Sequence, residues 1–455
     1  MSPTGSRTSA DPPGREGAPA TPSRRVLICA AEFPPLGGGG VLRVAKLAKY
    51  LPELGWSVTV ACSDEPLAEA VDQSLVDDIP ESVRIIRIQP PLGRLAARAT
   101  AGAKTRLPRR SRVFGLLFRL RAGIRSVAAV PDRWLPWALT LAQRPAAFLG
   151  DPDAIVTSGP PHSVHLAGAV LSRRLGVPFV MDLRDEWSLR PLMRSRLPWR
   201  RFVDRRAESW CLRRAAQIVV VSDASARRYE TAYPWLAGRV SVIPNGFDPA
   251  DLPHPSRRSR SRDGESITLG YAGTFQIGLD LRPLFTGLTA ALARERSVGA
   301  PARFVMLGAF RPDATELARR TIPDDQLIIE PFAPHREALA SMATWDALLV
   351  VADDGAASLA GKIYEYLALR KPILVAAPDG PATRLVASTG AGVSARPDDA
   401  EAIATAARRV FAMSADDSFT GVADEVLAPF DRRCQAEQWS DLLAGMVDGL
   451  PAAVD

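Results

Sequence analysis

Charged side chains directly follow an apolar run in the segment 181–187, which reads MDLRDEW. Its carboxylates are Asp182, Asp185 and Glu186, and Arg184 stands between the first two. Such groups are costly to bury at the end of a strand unless they pair with opposite charge or bind a ligand. We therefore interpret Arg184 and Asp185 as candidate catalytic or substrate-binding residues, with structural ion pairs as the alternative.

A histidine, His162, lies where another apolar run passes into a helical pattern, at the end of the segment SGPPH. An imidazole in that place can orient a substrate hydroxyl, so His162 joins the candidate catalytic residues, with capping or packing as the alternative. The chain has four histidines and four widely spaced cysteines. These numbers argue against a histidine-rich metal centre and a disulfide framework, and we predict no metal site and no cofactor.

A loop of small residues, 353–361, leads into a helix that begins near Lys362 and carries Glu365. Small residues leave room for a diphosphate beside the helix N-terminus, and Lys362 adds a positive charge for it. Glu365 can accept hydrogen bonds from ribose hydroxyls, and Asp354 belongs to the same loop. The sequence predicts a nucleotide-diphosphate site here, with a solvated helix start as the alternative.

Four glycines, 37–40, precede the first helical pattern of the chain. Their spacing does not match the GxGxxG pattern of dinucleotide sites. They do provide a loop whose amides, at Gly38, Gly39 and Gly40, can face a phosphate or an acceptor. A purely structural turn is the alternative.

Alternating strands and helices must position all of these residues. Short apolar runs predict strands at 26–30, 56–62, 154–157, 178–183, 217–222, 240–243, 267–273, 303–309, 326–332, 346–352 and 371–377. Helical patterns occupy 41–54, 163–175, 335–343 and 362–369. Because the rhythm of strand, glycine and helix recurs in both halves, the predicted class is α/β, with two doubly wound, Rossmann-like parallel sheets. In such sheets, ligands bind beyond the carboxyl ends of the strands.

The length of 455 residues is sufficient for two domains. A stretch rich in proline, serine and arginine, 248–266, predicts the linker between them. The opening residues lack an apolar core segment and predict a disordered leader rather than a signal peptide. The resulting divisions are a leader at 1–23, an N-terminal domain at 24–247, the linker, and a C-terminal domain at 267–428.

Positive charge is concentrated in residues 93–126, which contain ten arginines and lysines and no acidic residue around the apolar run 113–118. This segment is either a solvated loop and helix or a surface for anionic lipid or a lipid-linked acceptor. Nucleic acid is the weaker prediction, because aromatic residues are not interleaved with the arginines. No run of about 18 apolar residues occurs, so we predict no membrane-spanning helix.

These segments, in this order, resemble the retaining GT-B glycosyltransferases of the family 4 type, also called group 1 glycosyltransferases. The resemblance covers nearly all of 24–445. It implies two facing Rossmann-like domains with a cleft between them and a C-terminal helix, 429–455, that returns to the first domain. The motifs that carry it are TSGPPHSVHLAG, GVPFVMDLRDEW, VSVIPNGFD, YAGTF, GKIYEYLALRKPIL and the final FDRR-x5-W.

The resemblance implies transfer of a sugar from a nucleotide-diphosphate sugar to an acceptor hydroxyl, with the anomeric configuration retained. Glu365 matches the second glutamate of the family's E-x7-E motif, which holds the nucleotide ribose. The position of the first glutamate is Ala357 in this chain. The expected donor-binding residues are Gly273, Thr274, Gly308, Phe332, Asp354, Lys362 and Glu365.

The expected partners are a nucleotide sugar and a glycan or lipid-linked acceptor, with no nucleic acid. We expect a cytoplasmic protein that meets the inner face of the cell membrane through 93–126. Two alternatives remain at this stage. One is a sugar-nucleotide epimerase on the same fold, and the other is a non-catalytic binding protein, which the alanine at Ala357 makes credible.

Overall fold

A computed structural model describes residues 24–64, 71–89, 130–190, 197–253, 266–275, 279–299, 301–352, 361–416 and 418–449. The leader, the basic segment 93–126, most of the linker, and both Asp354 and Ala357 therefore lie outside the described residues. Within the described residues, no helix is long and apolar enough to cross a membrane.

The first half of the chain forms a seven-stranded sheet with the strand order β3-β2-β1-β4-β5-β6-β7. Every neighbouring pair is parallel. The order reverses between β1 and β4, and a reversal of this kind opens a crevice at the carboxyl ends of the two strands. The strands are β1 (Arg24–Cys29), β2 (Trp56–Ser63), β3 (Arg84–Ile88), β4 (Ala154–Gly159), β5 (Phe179–Leu183), β6 (Gln217–Val220) and β7 (Val240–Val242).

Helices cover both faces of this sheet, because its strands are apolar on both sides. Along β1, Leu27 belongs to one buried apolar cluster, whereas Val26 and Ile28 belong to the cluster on the opposite face. The helices of this half are α1 (Gly39–Tyr50), α2 (Ser74–Asp77), α3 (Leu135–Ala142), α4 (Ser163–Leu175), α5 (Pro198–Arg214) and α6 (Asp223–Ala232).

The second half forms a six-stranded parallel sheet with the order β10-β9-β8-β11-β12-β13. Its strands are β8 (Ile267–Ala272), β9 (Ala302–Leu307), β10 (Leu327–Glu330), β11 (Ala347–Val351), β12 (Ile373–Ala376) and β13 (Gly392–Ala395). Its helices are α7 (Arg282–Ser297), α8 (Pro312–Thr321), α9 (His335–Thr344), α10 (Lys362–Ala368), α11 (Pro381–Thr389), α12 (Ala400–Ala415), α13 (Asp424–Leu427) and α14 (Arg432–Asp448). The predicted α/β class with two doubly wound parallel sheets is confirmed.

The chain passes between the two sheets twice, and the two crossing segments are hydrogen-bonded to each other. The amide of Phe247 donates to the carbonyl of Phe430 over 2.9 Å, and the amide of Arg432 donates to the carbonyl of Phe247 over 2.9 Å. A Cβ atom at Gly246 would stand 2.0 Å from the Phe430 carbonyl oxygen, so only glycine permits this approach. Trp439 of α14 then packs in the apolar core of the first sheet.

Candidate functional site

Two glycine turns meet at the carboxyl ends of β8 and β9. The amide of Gly273 donates to the carbonyl of Leu307 over 2.8 Å, and a Cβ atom at Gly308 would stand 2.1 Å from the Gly273 carbonyl oxygen. Both glycines have positive φ, 124° and 149°. The carbonyl of Thr274, the next residue, accepts a hydrogen bond from the Tyr271 hydroxyl over 2.8 Å. These turns present backbone, without side chains, at the predicted donor site.

Lys362 points into this pair of turns. Its Nζ donates to the Ala272 carbonyl over 2.7 Å, lies 4.2 Å from the centre of the Tyr271 ring, and would stand 2.6 Å from a Cβ at Gly273. No carboxylate forms an ion pair with it among the described residues. Burial lowers the pKa of Lys362 to about 8, although nearby Glu365 acts in the opposite direction. A desolvated ammonium of this kind binds an anion strongly.

Glu365 lies one helical turn beyond Lys362 on α10, with its side chain 12% exposed. Its Oε1 is 3.6 Å from Nε2 of His335, the first residue of α9. It also influences Arg432, whose pKa burial lowers to about 9, with help from Arg43, while Glu365 acts in the opposite direction. Glu365 is thus close to cations contributed by α9 and by the start of α14.

Two other predicted donor residues are not brought into this group. Phe332 follows β10 and is 39% exposed, and no contact connects it to Lys362 among the described residues. Asp354 lies outside the described residues. Of the predicted donor residues, the structure therefore brings together Gly273, Thr274, Gly308, Lys362 and Glu365.

Two carboxylates at the carboxyl end of β5 and just beyond it are held in ion pairs, which was the alternative interpretation. Asp182 and Arg43 form a pair at 2.9 Å, with each side chain 3% exposed, and Ser158 donates to the same carboxylate over 2.7 Å. Glu186 is also buried and pairs with Arg228 at 3.0 Å. These contacts join β4, β5, α1 and α6, so we assign Asp182 and Glu186 to the framework of the domain.

Arg184 lies against the glycine run. A Cβ at Gly40 would stand 2.1 Å from its Nη1, its Nη2 donates to the Pro160 carbonyl, and its amide donates to the Gly159 carbonyl over 2.9 Å. Burial lowers the pKa of Arg184, but a guanidinium stays charged in proteins. The structure therefore brings the ends of β4 and β5 and the start of α1 around one cation.

Gly38, Gly39 and Asp185 lie at or near the surface. Gly38 and Gly39 are exposed, and a Cβ at either would meet nothing within 4 Å. Gly38 stands at the N-cap of α1 with φ of 118°, which favours glycine. Asp185 pairs with Arg190 at 3.2 Å and has a partly exposed side chain.

His162 occupies the N-cap of α4 and stacks on Trp187, with ring centres 5.2 Å apart and an interplanar angle of 4°. Its Nδ1 is buried with no hydrogen-bond partner among the described residues. Burial lowers the pKa of His162 well below its ordinary value. The ring is therefore neutral at pH 7, and its Nδ1 is a buried nitrogen whose hydrogen-bonding capacity is unused among the described residues.

A family comparison covers most of the first half of the chain. Residues 38–246 match the family model described as the glycosyl transferase 4-like domain. Over these residues the N-terminal domain is similar to that family. No curated protein matches the chain.

Solved structures extend the likeness over both domains. Sucrose-phosphate synthase of Thermosynechococcus elongatus is 17% identical, with 94% of this chain and 100% of that chain covered and a TM-score of 0.66. The Anabaena protein HepE, solved with UDP and glucose, is 16% identical, with 93% and 100% covered and a TM-score of 0.59. A Listeria monocytogenes protein assigned as a UDP-N-acetylglucosamine 2-epimerase is 11% identical, with 94% and 97% covered and a TM-score of 0.56. The predicted GT-B fold of the family 4 type is confirmed.

Among the described residues, one group of carboxylates could together hold a metal ion. It consists of Asp78, Asp248 and Asp251. Cations of the protein already occupy it: Lys46 pairs with all three carboxylates, and Lys49 pairs with the first two. We therefore assign this group to ion pairing.

Three further residues near the predicted site were not anticipated. Arg432 and His335 approach Glu365, and His165 accompanies His162 on α4, with its Nδ1 2.8 Å from the Thr157 hydroxyl. Burial lowers the pKa of His165 to about 3. Arg432 stands in the FDRR motif at the start of the last helix. That motif was the available signal for Arg432. Nothing in the local sequence distinguishes His165 or His335 from a histidine without a functional role.

Proposed function

We propose that this protein transfers a sugar from a nucleotide-diphosphate sugar to an acceptor hydroxyl. The observation that supports this best is Lys362, a desolvated ammonium that lies against two glycine turns at the carboxyl ends of β8 and β9. The diphosphate binds there, and Glu365 accepts hydrogen bonds from the ribose. The HepE structure, which contains UDP and glucose on this fold, supports the choice of ligand.

The transfer step requires charge stabilisation on the donor side and an oriented hydroxyl on the acceptor side. As the bond to the sugar breaks, Lys362 and buried Arg432 stabilise the negative charge that develops on the leaving diphosphate. Arg184 and the amides of Gly38 and Gly39 bind the acceptor. The neutral ring of His162 accepts a hydrogen bond from the reacting hydroxyl. As the hydroxyl oxygen bonds to the anomeric carbon, its proton passes to the leaving diphosphate.

Two finer features follow from the family resemblance and belong to the proposal. The anomeric configuration is retained, and turnover requires no metal ion. Product analysis by NMR tests the first feature, and an inverted product would contradict it. Turnover in excess EDTA tests the second, and loss of activity that Mg²⁺ or Mn²⁺ restores would contradict it.

The direct test is nucleotide binding and release with a panel of UDP-, GDP- and dTDP-sugars. We expect one donor class to bind, and Glu365→Ala to weaken its binding by about 1.5–3 kcal/mol, the value of a hydrogen bond to a charged group. Glu337→Ala, which removes an exposed carboxylate from α9, is the matched control and should bind normally. Equal affinities in the two variants would remove Glu365 from the donor site.

The same panel separates the other functions that this fold supports. The likeness to the Listeria protein gives a reason to examine epimerisation. Incubation with donor alone should leave the sugar unchanged, and an epimerised donor would overturn the transferase proposal. Donor binding without transfer to any glycan or lipid-linked acceptor would favour a non-catalytic binding protein.

We also propose contact with an anionic membrane surface, now through a second segment. Trp199, Phe202 and Val203, at the start of α5, are 43%, 61% and 40% exposed. Their spacing of three and four residues places them on one helix face. The exposed arginines alongside them are Arg201, Arg205 and Arg206. Apolar and aromatic side chains beside arginines suit the boundary between anionic headgroups and acyl chains.

Vesicle flotation tests this contact and separates it from a contribution of residues 93–126. Binding should require phosphatidylglycerol, weaken with salt, and decrease severalfold in Trp199→Ser/Phe202→Ser. Val298→Ser, which changes an exposed apolar residue of the other domain, is the control. Undiminished binding in the double variant would exclude the α5 face and leave the basic segment as the candidate.

A further inference from the structure

One imidazole nitrogen lies between the predicted donor site and the segment that leaves the first domain. His335 Nε2 is 3.6 Å from Oε1 of Glu365 and 3.5 Å from Oδ2 of Asp251. Asp251 follows β7, where the chain passes toward the second sheet. At these separations the contacts are electrostatic, and a small rotation of the ring converts either into a hydrogen bond.

The backbone of the same residue is attached to the first domain. The amide of His335 donates to Oδ2 of Asp72 over 2.6 Å. The amide of Asp72 in turn donates over 2.7 Å to the carbonyl of Pro35, which precedes the glycine run. His335 therefore contacts the donor residue, the crossing segment and a residue bonded to the start of the predicted acceptor loop.

Charge explains why this position favours a protonated imidazole. Three carboxylates lie together here: Asp78, Asp248 and Asp251. Three permanent cations form ion pairs with them, namely Lys46, Lys49 and Arg336. Glu365, which also acts on Lys362 and Arg432, is the other carboxylate that faces the imidazole. Burial acts to lower the pKa of His335, as does Lys46, but Glu365 and Asp251 outweigh them and raise it overall.

We propose that His335 is a positioning residue for the donor site: its imidazolium holds the Glu365 carboxylate in place for the ribose and connects donor binding to the domain crossing at Asp251. This inference rests on the proposed function, because it assumes that Glu365 binds the nucleotide. The imidazolium does not touch the donor. It acts by fixing the orientation of the Glu365 carboxylate.

Titration calorimetry with UDP, GDP and dTDP tests the inference on the full chain. For the nucleotide that binds, His335→Ala should weaken affinity by roughly 3- to 10-fold, the net value of one hydrogen bond. His335→Gln, whose amide reaches the position of Nε2, should recover part of that loss. Unchanged affinity in both variants would overturn the inference.

The pH dependence gives a readout that a merely structural role would not alter. Between pH 6 and 9, wild-type affinity should decrease as the imidazolium loses its proton, and His335→Gln should lack that component. Lys362 titrates in the same range but is present in both proteins, so the difference between the two curves isolates His335. Parallel curves for the two proteins would overturn the inference.

A double-mutant cycle shows whether His335 acts through Glu365. The effects of His335→Ala and Glu365→Ala on affinity should be strongly non-additive, whereas additive effects would contradict the inference. Arg336→Gln is the matched control, because Arg336 contacts Asp78 and Asp251 but forms no pair with Glu365. Its effect should be additive with Glu365→Ala. If the wild type binds none of the nucleotides, the proposed function is wrong, and the inference that rests on it is wrong with it.

Discussion

The two regions that carry charge at the ends of strands differ in what that charge already contacts. At the carboxyl end of β5, Asp182 forms a buried ion pair with Arg43, and Glu186 just beyond it pairs with Arg228. Against the carboxyl end of β8, Lys362 of α10 donates to a carbonyl and lies over an aromatic face, and it forms no ion pair among the described residues. The carboxylates of the first region therefore hold the domain together, whereas the ammonium of the second is ready for an anion.

This difference shows how to separate framework from site when both look alike in sequence. A buried charge that is fully paired adds little affinity for a ligand, and breaking its pair destabilises the fold. A buried charge with only dipolar partners is already desolvated, so its interaction with a ligand of opposite charge contributes the most binding free energy. Substitutions at Asp182 and Lys362 should therefore affect different properties of the protein.

Removing Asp182 should have the largest effect, and it should be an effect on folding. Asp182→Ala leaves the Arg43 guanidinium buried and unpaired, so the free energy of unfolding should decrease by about 3–5 kcal/mol. Urea denaturation measures it. Asp398→Ala removes a carboxylate that pairs on the surface with Arg396 and should cause no measurable change. Equal stability in both variants would contradict a framework role for Asp182.

Removing Lys362 should have the opposite character. Lys362→Met preserves the length of the side chain without the charge, so nucleotide affinity should decrease by about 1.5–3 kcal/mol. Folding stability should be unchanged or higher, because a desolvated ammonium is no longer buried. Calorimetric binding and urea denaturation on the same sample measure both quantities. A variant that loses stability but binds normally would place Lys362 in the framework.

The histidines of α4 should make stability depend on pH. His165 has a folded-state pKa of about 3, below its ordinary value. Between about pH 6.5 and 3 the unfolded chain binds a proton that the folded chain does not, so the stability contributed by the neutral ring is lost as the pH falls. Its contribution to the slope is at most about 1.4 kcal/mol per pH unit. In His165→Asn, denaturation curves should have a smaller slope over this range, and an unchanged slope would contradict the assignment.

The elements that could be predicted from sequence are those with a strong local pattern. The predicted helix 163–175 coincides with α4, and the predicted strands after Gly55 and before Gly273 coincide with β2 and β8 within one residue. By contrast, β3 and β13 were not predicted. Arginines interrupt the apolar run of β3, and β13 contains glycine and serine, so their strand character depends on pairing with β2 and β12.

The same limit applies to the site. Lys362 and Glu365 were predicted as donor residues from the loop before them and from the rule that ligands bind at carboxyl ends of strands, and their roles stay predictions. The pairing of Asp182 with Arg43 could not be predicted, because the partners are far apart in sequence and meet only when α1 packs on the sheet. A local pattern shows that charges occur together but does not show which distant residue neutralises them.

The smallest predicted effect concerns Gly40 and tests whether Arg184 belongs with the paired charges or with the available ones. In Gly40→Ala the new Cβ would stand 2.1 Å from Arg184 Nη1, the end of a flexible side chain that can move away. Stability should stay within about 1 kcal/mol, because alanine also favours the helix. If Arg184 binds the acceptor, its displacement should raise the acceptor KM severalfold and leave nucleotide affinity unchanged. Gly445→Ala, which adds a Cβ to an exposed glycine of α14 that meets nothing within 4 Å, is the matched control, and identical acceptor kinetics in the two variants would assign Arg184 to the framework.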